Sequence, residues 1–401
     1  MGKKKHHSSA APQPVQQPAP AAPRRKVWEI LCSALLVAVV VLFGVWLNQP
    51  DPDAVASSAS KKIFETGRVA AVTLDEAEPD ERSEGRRIGT QELQIEVLSG
   101  THKGEIMPVT NYMSALFNVD VEVGDRVIVR VLNNGGEDYL SIFNYDRGLV
   151  LGGLLLVFSV LLVALGGKKG LMALLGLGTA VVSIWFILIP GVLHGLPGLP
   201  LTVGVTAFVA AATLVLLNGY GVKTFCAVLG CVAGTVAAAL CAAFVGVLAP
   251  IDGFNMTEAE DLLLYGSDYG LHITELLVCG VIIAALGAVM DVALSLASAI
   301  WELHLHDPEA TARTLFLSGM QIGRDAMGTM ANTLILAFAG SSLNMLILIQ
   351  TYGIPWLQLV NTDFICIEVI QSLAASIGIL LTVPLVAFIS AQCMVRVKAQ
   401  V

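Results

Sequence analysis

Long apolar runs alternate with short polar connections over most of this chain. A helix of roughly 20 apolar residues is long enough to cross the hydrocarbon core of a bilayer. Eight such runs are present, at residues 27–47, 149–165, 171–193, 201–217, 225–249, 271–300, 331–350 and 364–394. The pattern therefore predicts an α-helical polytopic membrane protein with about eight transmembrane helices, the last seven of them within residues 148–401.

A different periodicity marks residues 48–147, between the first two runs. Apolar and polar residues alternate along 93–97 and again along 126–131, as in strands with one buried face. Gly124-Asp125 and the run 133–136 are turn signals that bound the second strand. The pattern predicts a small all-β domain of about five strands, an OB-like barrel between helices 1 and 2.

Composition agrees with a membrane protein, since 55% of the residues are hydrophobic and only 14% are charged. Residues 51–147 contain 18 acidic and 10 basic residues, a formal charge of −8 in a chain whose total is −9. An acidic surface repels nucleic acid, which we do not expect as a partner. Such a surface either concentrates cations or simply keeps the domain soluble.

The distribution of Lys and Arg predicts the orientation, because cations in short flanking segments are retained in the cytoplasm. Connections 194–200, 250–270 and 351–363 contain no Lys or Arg. The cationic segments carry Lys3, Lys4, Lys5, Arg24, Arg25 and Lys26, then Lys168 and Lys169, then Lys223, then Arg313 and Arg324, and finally Arg396 and Lys398. Both termini are therefore predicted to be cytoplasmic and the β domain extracytoplasmic.

The N-terminal segment 1–26 is basic and rich in Pro, Ala and Gln, which predicts a disordered cytoplasmic leader. The apolar run at 27–47 that follows it has two interpretations, a cleaved signal peptide or an uncleaved anchor. Its length, and the absence of a small-residue cleavage site after it, favour the anchor.

Neither a metal nor a cofactor site is predicted. All seven cysteines lie in predicted helices, and no CxxC pair occurs, so we interpret them as small packing residues. His304, His306 and Asp307 could share a metal, but no further ligand lies nearby. Asp307 before Pro308 is also typical of the start of a helix.

Ionisable residues inside apolar helices are costly and usually functional. Asp291 lies within the run at 271–300, and Ser295 follows it on the same face, with Glu275 near the outer end of that helix. Glu368 lies on the last helix with serines at the next two turns. We predict that the two polar faces meet in a hydrophilic path, in which Asp291 and Glu368 bind a cation or relay protons; the alternative is hydrogen bonding that orients the helices.

The segment 318–342 is too polar for a lipid-facing helix and too apolar for a simple loop. Its glycines would let the backbone bend or approach a neighbour closely. A broken or re-entrant helix at a gate, or a cytoplasmic connector at 302–330, would have this composition. The residues assigned to this gate or connector are Gly319, Gly323, Arg324, Asp325 and Gly328, with Asn332 assigned to the path.

Two blocks of sequence resemble the YibE/F-like family of bacterial membrane proteins. They read GAVMDVALSLASAIWE at 287–302 and LSGMQIGRDAMGTMANTLILAFAGSSL at 317–343, and the similarity runs from about Lys61 through Tyr145-Asp146-Arg147 and 167–170 to Glu368 and Pro384. The resemblance implies a multi-pass, permease-like protein of the bacterial cytoplasmic membrane. It implies no catalytic residues.

Three functional classes were compared with these observations, and two of them are compatible with the sequence. The first is a transporter or channel for a small solute or ion. The second is a non-transporting assembly or sensory protein whose outer β domain binds a partner, and homo-oligomers are compatible with either. An enzyme is not predicted, because the chain lacks a GxSxG elbow, an HExxH pair and a nucleotide-binding loop.

Overall fold

The computed structural model describes residues 41–48, 63–134, 137–256, 258–266 and 271–396. They divide into two compact units, one of residues 50–165 and one of residues 1–49 with 166–401. The predicted leader at 1–26 and most of the predicted first helix at 27–47 lie outside the described residues. Of that helix, residues 41–47 are described and are helical.

The first unit contains a six-stranded antiparallel sheet where about five strands were predicted. The strands are β1 (Ile63–Asp75), β2 (Glu78–Asp80), β3 (Arg86–Val97), β4 (Ile106–Met113), β5 (Arg126–Asn134) and β6 (Glu137–Tyr145). Their order is β2-β3-β1-β5-β6, with β4 paired to β3. Strands β4 and β6 contact each other, but no strand pairing joins them in the described residues. The domain is a half-barrel, and a closed OB-like barrel stays a prediction.

The alternation that predicted the strands also selects the core of this domain. Leu93, Ile95 and Val97 are buried, as are Val127 and Val129 on β5. Because successive side chains of a strand point to opposite faces, these residues cover one side of the sheet. The turn predicted at Gly124 is also confirmed, since this glycine has a φ value of 102°.

The second unit is helical. Its helices, in chain order, are α1 (Gly148–Ser183, which begins in the first unit), α2 (Gly198–Asn218), α3 (Val222–Leu248), α4 (Ala259–Gly266), α5 (Leu276–His306), α6 (Ala312–Ser341), α7 (Leu343–Tyr352) and α8 (Asp363–Arg396), with single turns at Gly253–Asn255, Ile273–Glu275 and Trp356–Leu359. Helix α1 continues through a π-helical turn, Ile184–Leu188, to Leu193.

Five helices of the described chain are long and apolar enough to cross a membrane, and α6 with α7 makes a sixth if that bent pair is one span. Helix α1 contains a break at Gly167, whose φ of 54° and ψ of −133° are not helical. This break lies between the predicted runs at 149–165 and 171–193. The chain is a helical, membrane-embedded protein, and the count of eight spans stays a prediction.

Helix α8 is the centre of the helical unit, where it packs against α3, α5 and α6. Glycines make these contacts close. A methyl group at Gly230 of α3 would overlap the side chain of Val386, and one at Gly323 of α6 would overlap Val383. Helices in a membrane associate through such small residues, because lipid provides no hydrophobic force between them.

A carboxylate stabilises the start of α2. Glu275 Oε2 accepts a hydrogen bond of 2.8 Å from the backbone N–H of Leu199, the second residue of that helix. Pro197 at the N-cap provides no side-chain hydrogen bond. A negative charge at a helix N-terminus is favourable because the first N–H groups have no partner within the helix. Glu275 therefore has a structural partner.

The glycine contacts predict a difference between two identical substitutions. Gly230→Ala should lower the free energy of unfolding by about 1–3 kcal/mol, because the new methyl group overpacks against the stiff, β-branched Val386. Gly204→Ala should be neutral or stabilising, since nothing lies within 4 Å of that position and alanine favours a helix. Thermal unfolding of the detergent-purified variants measures both, and equal effects would contradict the close packing.

The cap predicts that Glu275→Ala lowers the free energy of unfolding by about 0.5–2 kcal/mol, the usual cost of losing an N-terminal cap. Glu275→Gln should retain most of the stability, because its amide oxygen still accepts the bond from Leu199. Glu302→Ala, at an exposed position on α5, is the matched control. The measurement is again thermal unfolding in detergent, and a stable Glu275→Ala protein would show that the cap is unimportant.

Candidate functional site at Glu368

Glu368 is a partly buried carboxylate on helix α8, where it is the sixth residue of 34. Its Oε2 atom is buried and makes no hydrogen bond in the described structure. An unpartnered polar atom in a buried position costs free energy of roughly 1–3 kcal/mol, and more if it is charged. Glu368 is thus a functional candidate on energetic grounds.

The carboxylate lines a small cavity at the break between two helices. Helices α6 and α7 are bent by 61° relative to each other, with Ser342 between them. The cavity has a volume of about 170 Å³, and its lining is otherwise apolar or serine: Ile335, Phe338, Ala339, Ser342, Leu346, Ile365, Val369 and Ser372. Glu368 is the one ionisable side chain among these described lining residues.

This arrangement is suited to a small cation or a proton. A carboxylate with a free oxygen can accept a proton or contribute a ligand to a cation, and the apolar wall gives an anion nothing to bind. Broken helices beside a buried charge are a recurring feature of substrate sites in membrane proteins. The break lies at the polar run Gly340-Ser341-Ser342, the end of the segment 318–342 for which the sequence predicted a broken helix or a connector.

Helix α6 is continuous through the three predicted glycines, so of their two predicted roles it does not show the bend, while close approach to a neighbour is confirmed at Gly319 and Gly323. Both of these glycines are buried, and a methyl group at Gly319 would lie 2.7 Å from Ile300 Cδ1. Gly328 has nothing within 4 Å. Arg324, Asp325 and the path candidate Asn332 are exposed on the outer face of α6.

The segment predicted as a connector, 302–330, comprises the end of α5, a turn at 307–311 and the first 19 of the 30 residues of α6. Thr311 begins α6, since its Oγ1 accepts a hydrogen bond of 3.2 Å from the N–H of Thr314. The predicted helix start at Asp307 is therefore wrong. Thr311 lies four residues further on and provides the hydroxyl that the first turn needs.

Asp291 and Ser295 are exposed at the surface of the helical unit. The residues that α5 buries, among them Val289, Val292 and Leu296, lie on its other face. The prediction that the Asp291 face meets the Glu368 face is wrong for the described chain. A helix that is apolar on nearly all sides leaves the choice of its buried face to its neighbours.

The serines that follow Glu368 do not extend its site. Ser376 donates a hydrogen bond of 2.7 Å to the carbonyl of Ser372, and Ser372 donates one of 3.2 Å to Val369. Both hydroxyls are thus satisfied within α8. Glu368 alone of this predicted polar face has an atom free for a ligand, and no group of three His, Cys, Asp or Glu side chains that could hold a metal occurs in the described chain.

Comparison with known families assigns the chain along most of its length. Residues 154–396 match the YibE/F-like protein model, and residues 65–145 match the YibE/F family N-terminal domain. Comparisons with curated proteins and with solved structures found no match. The first match includes Glu368 and the break at Ser342, and the second covers most of the half-barrel. This protein belongs to the YibE/F-like family.

Proposed function

We propose that this protein is a permease-like transporter or channel that moves a small cation or protons across the bacterial cytoplasmic membrane, and that Glu368 binds or relays the ion. One observation carries the proposal: a buried, unpartnered carboxylate oxygen lies in a cavity at a break between helices. The proposed orientation has both termini in the cytoplasm. The bilayer and the ion are the partners, and no chemical reaction is catalysed.

The position of Glu368 supports ion entry. Glu368 lies five positions after the first residue of α8, a rise of about 7.5 Å, so the carboxylate lies near one end of a helix that is far longer than the hydrocarbon core. An ion there loses only part of its hydration before it meets the carboxylate. Gating would change the angle between α6 and α7, because Ser342 contributes to the cavity wall.

We propose further that a second copy of this chain covers the exposed polar faces of α5 and α6. A carboxylate such as that of Asp291 costs at least about 2.5 kcal/mol in hydrocarbon on insertion scales. On α6, Arg324 follows Gly323, which packs against Val383 of α8. On α5, Asp291 lies two residues after Val289, which lies beside Thr382 of α8. The acid and the base are thus at one level of α8, and in the proposed two-fold dimer Asp291 of each copy pairs with Arg324 of the other.

The transport proposal predicts that Glu368→Gln, which keeps the size of the side chain but removes its charge, lowers the flux at least tenfold. The measurement uses proteoliposomes with an internal pH dye for protons and a panel of monovalent and divalent metal cations. Glu260→Gln, at an exposed position on α4, is the matched control and should retain the flux. Full flux in Glu368→Gln would refute the role of this residue.

A wild-type protein that conducts none of the tested ions would instead favour the assembly or sensory function.

The dimer proposal predicts that Asp291→Arg and Arg324→Asp each weaken self-association, because like charges then face one another. The double variant should restore it, since the pair is merely reversed. Size-exclusion chromatography with light scattering in mild detergent measures the mass of each protein. A monomeric wild type, or a double variant no better than the single ones, would exclude this interface.

A further inference from the structure

The half-barrel contains a cavity that the transport proposal does not use. It lies at the seam where β4 and β6 approach without pairing, and its volume is about 550 Å³. Three arginines line it: Arg86 at the start of β3, Arg130 on β5 and Arg147 after β6. None of its 13 lining residues, all of them within the described strands and loops, is acidic.

These three arginines differ from Arg87 and Arg126 of the same domain. Arg87 donates to Asp75 at 2.5 Å and to Asp120 at 3.0 Å, and its hydrogen bond lowers the pKa of the Asp75 carboxyl to about 2. Arg126 lies 3.7 Å from Asp146. These guanidinium groups have carboxylates as partners.

The cavity arginines have no carboxylate partner in the described structure. Arg86 donates only to the carbonyl of Ala115, at 2.8 Å, and Arg147 lies 5.8 Å from the centre of the Tyr145 ring. Arg130 makes neither an ion pair nor a hydrogen bond with the described residues. In a segment of charge −8, acids are abundant, so three uncompensated cations around one cavity form a local positive field.

Guanidinium groups recognise phosphate and carboxylate through paired N–H donors. Asn118 and Ser141 add neutral polar groups to the same wall, although the amide of Asn118 already donates to the carbonyl of Arg87 at 2.6 Å. The donors present favour an oxyanion over a neutral or cationic ligand.

Aromatic side chains border the same cavity. Phe117 is 82% exposed and Phe143 is 57% exposed, so both present apolar surface that the domain does not cover itself. Adjacent apolar surface and fixed polar groups are typical of a small-molecule site. The ligand therefore combines an anionic group with an apolar portion.

We propose that this cavity binds a phosphate ester whose organic group packs against Phe117 and Phe143 while its phosphate is held by Arg86, Arg130 and Arg147. Such a ligand has two possible sources, a phospholipid headgroup and a soluble organic phosphate, because both carry a phosphate group that the arginines can bind. The shared element is the phosphate ester. This site is independent of Glu368 and of ion movement.

The test uses the full-length protein in neutral phosphatidylcholine nanodiscs. Phenyl phosphate, followed by calorimetry, probes the soluble source; phosphatidylglycerol, followed by its retention in native mass spectrometry, probes the lipid source. Binding of either probe supports the site and identifies the source. Arg86→Gln with Arg130→Gln should weaken that binding at least tenfold, whereas Arg68→Gln with Arg82→Gln, at exposed positions outside the cavity, should not.

Two further measurements keep the outcome unambiguous. Arg130→Lys retains the charge and the fold but loses the paired donors, so its affinity should fall between those of the wild type and the double variant. Glu368→Gln should bind the probe as the wild type does, which separates this site from the transport proposal. Absence of binding by the wild type, or an equal loss in the Arg68 and Arg82 variant, would overturn the proposal.

Discussion

The close approach of three helices to α8 is the constraint on which the helical unit depends. A bilayer gives helices no hydrophobic reason to associate, so they must gain van der Waals contact by bringing their backbones together. Gly230 and Gly234 of α3 and Gly323 of α6 provide the space for Val386, Thr382 and Val383 of α8. Both glycines of α3 therefore pack against α8 of the same chain.

The same packing creates the candidate site. Helix α6 runs antiparallel to α8, since Gly323 meets Val383 and residues near Ser342 meet Glu368. The glycine contact closes one end of this helix pair, and the bend after Ser341 opens a cavity at the other. Glu368 lies where α6 ends, so a carboxylate that lipid would not tolerate is shielded by protein without being paired.

Charge is arranged differently in the two units. In the helices, a lone carboxylate lines an apolar cavity, which favours a cation or a proton. In the half-barrel, acids neutralise Arg87 and Arg126, whereas Arg86, Arg130 and Arg147 around a larger cavity have no carboxylate partner among the described residues. The net charge of the domain therefore conceals a positive site, because a sum over the surface does not show which charges are paired.

The sequence by itself determined that the chain is helical and membrane-embedded, which strand residues are buried, and the family, because apolar runs, alternation and signature blocks are local patterns. It also singled out Glu368. Only the tertiary structure decided that Asp291 lies on an outer face, that Glu275 caps α2, and that the break is at Ser342. A helix that is apolar on nearly every side carries no periodic signal for its buried face. The face that α5 buries is therefore decided by its packing against α3, α6 and α8.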